Sequence, residues 1–238
     1  MLGALDRLLA LLALLLGGGS LLLFGGFLLG LDLGIVHLAG DPAVRLPVDT
    51  GLCALFFVQH SVMLRRGFRE HLARFVARHR HGALYAVLSG LALAALVLLW
   101  QRTGTVLYAA AGMWRWGLHG VQLLALSSVL WGWRALGGFD PLGVSALATR
   151  APETVPPLTL RGPYRWVRHP LYLAFLVATW TTPVLTTDRL LFNVLWTAWI
   201  ILGCVLEERD LLALHGEAYR AYQRRVPMLL PLRIRTPR

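Results

Sequence analysis

The feature that most constrains this chain is a series of long stretches that are almost free of charged residues. A hydrocarbon layer of about 30 Å is crossed by roughly 20 helical residues. Hydrophobic residues make up 57% of the 238 positions and charged residues only 15%, against about 25% in soluble domains. We therefore predict an all-α, polytopic membrane protein that forms a single membrane domain over residues 1–238. Its five or six transmembrane helices are predicted at about 8–31, 48–64, 82–101, 116–133, 170–187 and 190–206.

The basic residues of the chain predict its orientation. All 23 of them are arginines, and the formal net charge is +11. Short cytoplasmic loops accumulate arginine, and an orientation with both termini in the cytoplasm places all but Arg45, Arg102, Arg115 and Arg189 on that side. Topology therefore explains the charge. We expect contact with membrane lipids and their anionic headgroups, and no nucleic-acid partner; no obligate protein partner is evident.

The last two apolar stretches are predicted to form an antiparallel helical hairpin. They are joined by only a few residues around Asp188, and each covers about 25 Å as a helix. Glu207, which follows the second helix, is therefore expected at the same membrane face as His169, which precedes the first. The segments 134–169 and 207–238 are predicted as a cytoplasmic lid and tail. The two cysteines and eight histidines show no metal-ligand spacing, so we expect no metal site.

Side chains capable of chemistry are concentrated in RGPYRWVRHPLY, residues 161–172, and in EERDL, residues 207–211. Pro170 suits a first helical turn, whose free N–H groups favour an acceptor. Arginines, a histidine, tyrosines and glutamates together suit a ligand that is zwitterionic at one end and heteroaromatic at the other. The same residue types are also typical of an interfacial anchor, in which Arg, Tyr and Trp lie at the headgroups and glutamates neutralise arginines.

These two blocks resemble the carboxy-terminal signature of the integral-membrane methyltransferases that include isoprenylcysteine carboxyl methyltransferase and the phospholipid N-methyltransferases. Upstream, FVQHSVM at 57–63 and FDPLG at 139–143 are similar to segments of bacterial methanethiol S-methyltransferases. The resemblance implies an enzyme of the bacterial inner membrane. It would transfer a methyl group from S-adenosylmethionine to a small thiol, converting methanethiol to dimethyl sulfide and leaving S-adenosylhomocysteine.

The resemblance also implies which residues form the site. The cofactor-binding residues carried over from the family motif are Tyr164, Arg165, His169, Pro170, Leu171, Tyr172, Glu207 and Glu208. Because a thiol acceptor must lose its proton, His60 is our candidate base, with Gln59 beside it and Arg168 as a further catalytic residue. A histidine that hydrogen-bonds to a neighbouring helix is the alternative interpretation of His60.

Three other functions are compatible with the sequence. Within the same enzyme class, the acceptor could be an isoprenylcysteine carboxylate or a lipid amine, which would need a wide opening towards the lipid. A haem-binding membrane protein is a second possibility, since QHSVM also resembles a segment of the NnrU group. A structural or lipid-binding membrane protein without turnover is the third.

Overall fold

The chain is helical almost throughout. The computed structural model describes residues 3–36, 38, 40–137, 140–150 and 158–231. Phe139 of the FDPLG segment, residues 151–157 of the predicted lid and residues 232–238 of the predicted tail lie outside these ranges. Within them, two short strands interrupt a succession of helices, which confirms the all-α prediction.

Ten α-helices follow one another along the described chain. They are α1 (Ala4–Leu12), α2 (Gly19–Leu28), α3 (Pro42–Leu64), α4 (Arg66–Leu72), α5 (His81–Leu98), α6 (Gly112–Leu136), α7 (Val144–Thr149), α8 (Pro170–Trp180), α9 (Thr187–His215) and α10 (Glu217–Arg225). A π-helical segment, Ala13–Gly18, joins α1 to α2. The strands β1 (Val106–Ala109) and β2 (Val184–Thr186) pair with each other.

Within the described ranges, four helical segments are long and apolar enough to cross a membrane. They are Ala4–Leu28, Pro42–Leu64, Arg78–Leu98 and Thr187–His215, and Pro170–Trp180 is a shorter apolar helix. These helices make the chain a multi-pass membrane protein by length and composition.

The helix predicted over 170–187 is shorter in the structure, because α8 ends at Trp180. Pro183 follows closely and lacks the N–H that would continue a helix. The 11 residues of α8 span about 16 Å, which is too short to cross the hydrocarbon layer. The stretch predicted over 190–206 lies within α9, which continues to His215. Glu207 and Glu208 are therefore helical residues rather than part of a tail.

The chain forms two compact units. Unit 1 comprises Met1–Tyr108, Asp140–Val155 and Val184–Phe192, and unit 2 comprises Ala109–Phe139, Pro156–Pro183 and Asn193–Arg238. Helix α9 belongs to both, since its first turns lie in unit 1 and the remainder lies in unit 2.

Close helix packing builds the core of unit 1. A Cβ atom on Gly90 would lie 2.5 Å from the carbonyl oxygen of Leu16, so only glycine lets α5 approach the π-helical segment this closely. Gly143, at φ +66, lies equally close to α5, where a Cβ atom would meet the backbone nitrogen of Ala83 at 2.2 Å. The buried side chains of this core are Ala13, Ala83, Ala86, Val87 and Leu147.

A buried set of polar residues in unit 1, which we call the Asp188 network, consists of Asp49, Trp100, Gln101, Thr103 and Asp188. The Trp100 indole donates to Asp188 at 3.0 Å, and the Thr103 hydroxyl donates to the same carboxylate at 2.8 Å. The backbone N–H of Gln101 donates to Asp49 at 2.8 Å. Asp49 and Asp188 are 0% and 2% exposed. The network thus attaches the segment after α5 to α3 and to the start of α9.

In unit 2, α6 packs against α8. The side-chain amide of Gln122 donates to the carbonyl oxygen of Ala178 at 2.9 Å. A Cβ atom on Gly132 would lie 2.6 Å from a methyl carbon of Leu171, which shows how closely the two helices approach. Asn193 on α9 donates to the carbonyl oxygen of Thr179 at 3.1 Å. These contacts position α8 within unit 2, with the block RGPYRWVRHPLY leading into it.

Candidate active site

Backbone hydrogen bonds hold the residues that precede α8. The N–H of Arg168 donates to the carbonyl oxygen of Pro227 at 2.9 Å, and the N–H of His169 donates to that of Met228 at 3.1 Å. Pro170 then opens α8, with His169 at the N-cap. The segment after α10 therefore pairs with the Arg168–His169 dipeptide and fixes the backbone position of both residues.

Five side chains of unit 2 form what we call the Arg168 cluster: Arg168, His169, Glu207, Glu208 and Gln223. Arg168 donates to both carboxylate oxygens of Glu208, at 2.6 and 3.0 Å. Its remaining nitrogen donates to the carbonyl oxygen of Val226 at 2.5 Å. A two-pronged arginine–carboxylate pair is among the stronger hydrogen-bonded contacts in proteins. The cluster is therefore held rigidly around this pair.

The two adjacent glutamates differ in what remains available to a ligand. Glu208 also contacts His169 Nε2 at 3.2 Å and accepts from Gln223 at 2.9 Å, so both its oxygens have protein partners. The side chain of Glu207 is 46% exposed, and its carboxylate lies 3.7 Å from His169 Nδ1. Glu207 is thus the glutamate that can accept hydrogen bonds from a bound molecule.

Three tyrosines surround the cluster. The hydroxyl of Tyr222 donates to the carbonyl oxygen of Tyr164 at 2.6 Å. Burial, and then the negative charge of Glu207, raises the pKa of Tyr164, while burial raises the pKa of Tyr222 to about 12. Both phenols therefore stay protonated at neutral pH. Tyr219 is 1% exposed, and its buried hydroxyl has no hydrogen-bond partner among the described residues.

Two open clefts lie on unit 2, and Arg165 and Trp166 line both of them. The first, of about 440 Å³, is completed by Trp131 and Gly162. The second, of about 360 Å³, is completed by Arg225, Pro227 and Pro231. The Trp166 side chain is 65% exposed, and its ring lies 5.3 Å from that of Trp131 in an edge-on arrangement. The clefts therefore offer aromatic faces and guanidinium groups.

The structure brings together only part of the set of predicted site residues. His169 contacts both glutamates, and its ring stacks on Tyr172 at 5.5 Å. Leu171 instead packs towards Gly132 of α6, and Pro170 is buried. Arg165 projects into the clefts.

Several residues that shape this site were missed by the sequence analysis. Gln223, Tyr219 and Tyr222 lie on α10, where spacings of three and four residues place them on one helix face. That periodicity in EAYRAYQRR was a signal that could have identified them. Trp131 had no comparable signal, because its position at the cleft depends on how α6 packs.

His60 and Gln59, predicted as catalytic, lie on α3 in unit 1. The hydroxyl of Tyr85 lies 2.8 Å from His60 Nε2 and 3.0 Å from Nδ1. Gln59 donates to the hydroxyl of Ser89 at 3.3 Å. Both predicted residues thus hydrogen-bond to α5. Arg168, the third predicted catalytic residue, uses its guanidinium on Glu208 and on backbone carbonyls.

Known proteins are similar to this chain over most of its length. A methanethiol S-methyltransferase of a Pseudomonas species is 38% identical over 224 residues, covering 89% of this chain and 84% of the relative. Methanethiol S-methyltransferase 2 of Bradyrhizobium diazoefficiens is 38% identical over 188 residues, covering 77% and 72%. Nurim of Rattus norvegicus is 30% identical over 190 residues, covering 74% and 70%. No protein-family model matches the chain, and no solved structure matches it.

Proposed function

Because the chain belongs to the family of the methanethiol S-methyltransferases, we propose that it methylates methanethiol to dimethyl sulfide with S-adenosylmethionine as the methyl donor. The observation that supports a donor site in unit 2 is the contact of His169 with Glu207 and Glu208. This contact joins side chains of two motifs that are 38 residues apart in the chain, which supports the shared site that the family resemblance implies.

The charged and aromatic side chains of unit 2 fit the chemical groups of the proposed donor. Glu207, with its exposed carboxylate, would bind the donor's amino group or ribose hydroxyls. Arg165 would bind its carboxylate, and the exposed face of Trp166 suits a purine ring.

In this proposal the Arg168 cluster positions the methyl donor and takes no part in bond making or breaking. When bound, S-adenosylmethionine supplies a methyl group that is already activated by its sulfonium. Arg168 is then a positioning residue, because its hydrogen bonds fix Glu208 and Glu208 in turn holds His169. Positioning of reactants can contribute about 7–11 kcal/mol to lowering a barrier in favourable cases.

The acceptor must lose a thiol proton, and His60 remains the proposed base, with Gln59 beside it. A positioned base contributes roughly 100- to 10,000-fold to a rate. Localisation in a bacterial inner membrane is proposed from the family resemblance, and the cytoplasmic position of both termini is proposed from the distribution of arginines.

The activity is tested by incubating the purified protein with S-adenosylmethionine and one acceptor at a time, and by detecting products with gas chromatography and mass spectrometry. We expect dimethyl sulfide from methanethiol and no methylation of an isoprenylcysteine analogue or of phosphatidylethanolamine. Product from either of those acceptors, with none from methanethiol, would replace the proposed acceptor. Absorption at the haem Soret wavelength, lost in His60→Ala, would favour the haem-binding alternative.

The role of His60 is tested in the same assay with His60→Ala and His119→Ala, which removes a helical histidine of α6 that has no proposed role. We expect His60→Ala to lower the turnover rate at least tenfold, with less than a twofold change in affinity for S-adenosylhomocysteine measured by calorimetry. His119→Ala should leave both unchanged. A normal turnover rate in His60→Ala would remove this residue as the base.

A further inference from the structure

Helices α3 and α5 of unit 1 carry two hydrogen-bonded pairs of polar side chains, His60 with Tyr85 and Gln59 with Ser89, which together we call the His60 cluster. Both helices belong to segments apolar enough to cross a membrane. Polar side chains in such segments are costly, and they commonly mark a functional site. The contacts within the cluster are the Tyr85–His60 and Gln59–Ser89 hydrogen bonds.

Tyr85 holds the imidazole ring of His60 in a defined orientation. Its hydroxyl lies within 3.0 Å of both ring nitrogens; when the hydroxyl oxygen accepts from the ring N–H, the lone pair of the other nitrogen can take up a proton. The Phe56 ring lies 5.1 Å from the imidazole, and the Tyr85 ring lies 5.1 Å away as well. The ring is therefore packed between two aromatic side chains, and its tautomer depends on the tyrosine hydroxyl.

Gln59 provides an acceptor to which no residue in the described part of the chain donates. Its side-chain nitrogen donates to Met63 Sδ at 3.1 Å and to Ser89 Oγ at 3.3 Å. Its side-chain oxygen is buried and has no hydrogen-bond partner among the described residues. A buried acceptor without a partner costs free energy that a bound donor can recover. The neighbouring thioether of Met63 and ring of Phe56 make the surroundings apolar and polarisable, which suits a small thiol.

We propose that the His60 cluster binds the acceptor thiol and removes its proton, with Tyr85 as the positioning residue for His60. The S–H group donates to the side-chain oxygen of Gln59 on binding and then turns towards the unprotonated nitrogen of His60. There the S–H bond breaks, the proton forms an N–H bond with that nitrogen, and the electron pair stays on sulfur as a thiolate. This inference rests on the proposed function, because it assigns the acceptor side of that reaction.

The role of Tyr85 is tested with Tyr85→Phe and with Tyr108→Phe, which changes an exposed tyrosine of β1. The rate at saturating acceptor is measured with methanethiol and with thiophenol, an aromatic thiol that is more acidic. We expect Tyr85→Phe to lower the methanethiol rate at least tenfold and the thiophenol rate less than threefold, with the KM for S-adenosylmethionine unchanged. A residue with only a structural role would lower both rates equally. Equal losses, or no loss with methanethiol, would overturn the assignment.

A binding measurement tests the thiol site without turnover. Ethanethiol is titrated calorimetrically into the protein without methyl donor, comparing wild type with Gln59→Leu. We expect at least tenfold weaker thiol binding in Gln59→Leu and unchanged affinity for S-adenosylhomocysteine. Unchanged thiol binding would refute the site even if the wild type produces dimethyl sulfide. A wild type that binds thiol at Gln59 but makes no dimethyl sulfide would instead refute the proposed function.

Discussion

In the Asp188 network of unit 1 and in the Arg168 cluster of unit 2, a buried carboxylate accepts hydrogen bonds from several side chains. The two differ in how exposed the neighbouring charged residue is. Asp188 accepts from Trp100 and Thr103, and Glu208 accepts from Arg168 and Gln223. The difference lies in the adjacent residue of α9. Arg189, next to Asp188, is 8% exposed and lies over the Phe27 ring, whereas the side chain of Glu207, next to Glu208, is 46% exposed.

This comparison separates two uses of a buried carboxylate. A carboxylate whose oxygens are all engaged by protein donors stabilises the fold, because removing it leaves those donors buried and unpaired. Its neighbour contributes to binding only when it keeps unused hydrogen-bonding capacity and access to solvent. By this criterion Asp188, with both oxygens engaged, is structural, while the Arg168 cluster combines a structural glutamate with one that keeps an exposed carboxylate.

The largest effect is expected from Glu208→Ala. This change leaves the guanidinium of Arg168, whose side chain is 11% exposed, without its carboxylate, and breaking a buried ion pair costs about 3–5 kcal/mol. We expect a large loss in thermal stability, measured in detergent, together with loss of S-adenosylhomocysteine binding. Glu217→Ala, which removes an exposed glutamate of α10, is the matched control. Equal stability of the two variants would show that Glu208 is not structural.

Asp188→Ala tests the other half of the comparison. Loss of this acceptor leaves the Trp100 indole and the Thr103 hydroxyl without their partner, at an expected cost of about 2–3 kcal/mol. The midpoint of thermal unfolding should fall, while the affinity of the folded protein for S-adenosylhomocysteine should change less than twofold. A tenfold loss of affinity at full folding would mean that the Asp188 network also serves ligand binding.

The smallest effect is expected from Glu207→Gln, which should change the free energy of ligand binding and leave the free energy of unfolding unaltered. Among the described residues, the Glu207 carboxylate has only the 3.7 Å contact with His169 Nδ1, so thermal stability should stay within one degree of wild type. The affinity for S-adenosylhomocysteine should fall at least tenfold, or about 1.4 kcal/mol, in a calorimetric titration. Glu217→Gln should bind normally. Wild-type affinity in Glu207→Gln would argue against a ligand-binding role for this glutamate.

The sequence predicted helix positions well where apolar stretches were long and uninterrupted. The predicted range 48–64 lies within α3, and 190–206 lies within α9. The predicted helix 170–187 was too long, because Thr181, Thr182 and Pro183 were counted as part of it. In the structure α8 ends at Trp180, before the proline, and the residues of β2 pair with β1. Uncharged composition therefore did not distinguish a short helix followed by a strand from one spanning helix.

Within the site, the sequence identified the residue types but not their partners. Motif resemblance selected His169, Glu207 and Glu208, and the structure places them in contact. It could not distinguish the two glutamates, which are adjacent and chemically identical in sequence. Their difference arises because α10 brings Gln223 to Glu208 alone.

The sequence by itself determined that this chain is a helical membrane protein with a methyltransferase signature, because hydropathy, arginine distribution and motif spacing are properties of short stretches of chain. The tertiary structure decided which polar side chains are engaged and which retain a free acceptor. Arg168 hydrogen-bonds to Glu208, 40 residues later in the chain, and to Val226, 58 residues later. Tyr85 of α5 hydrogen-bonds to His60 of α3. Hydrogen bonds between such distant residues depend on how the helices pack, and that packing determines which polar groups are engaged by the protein and which remain exposed.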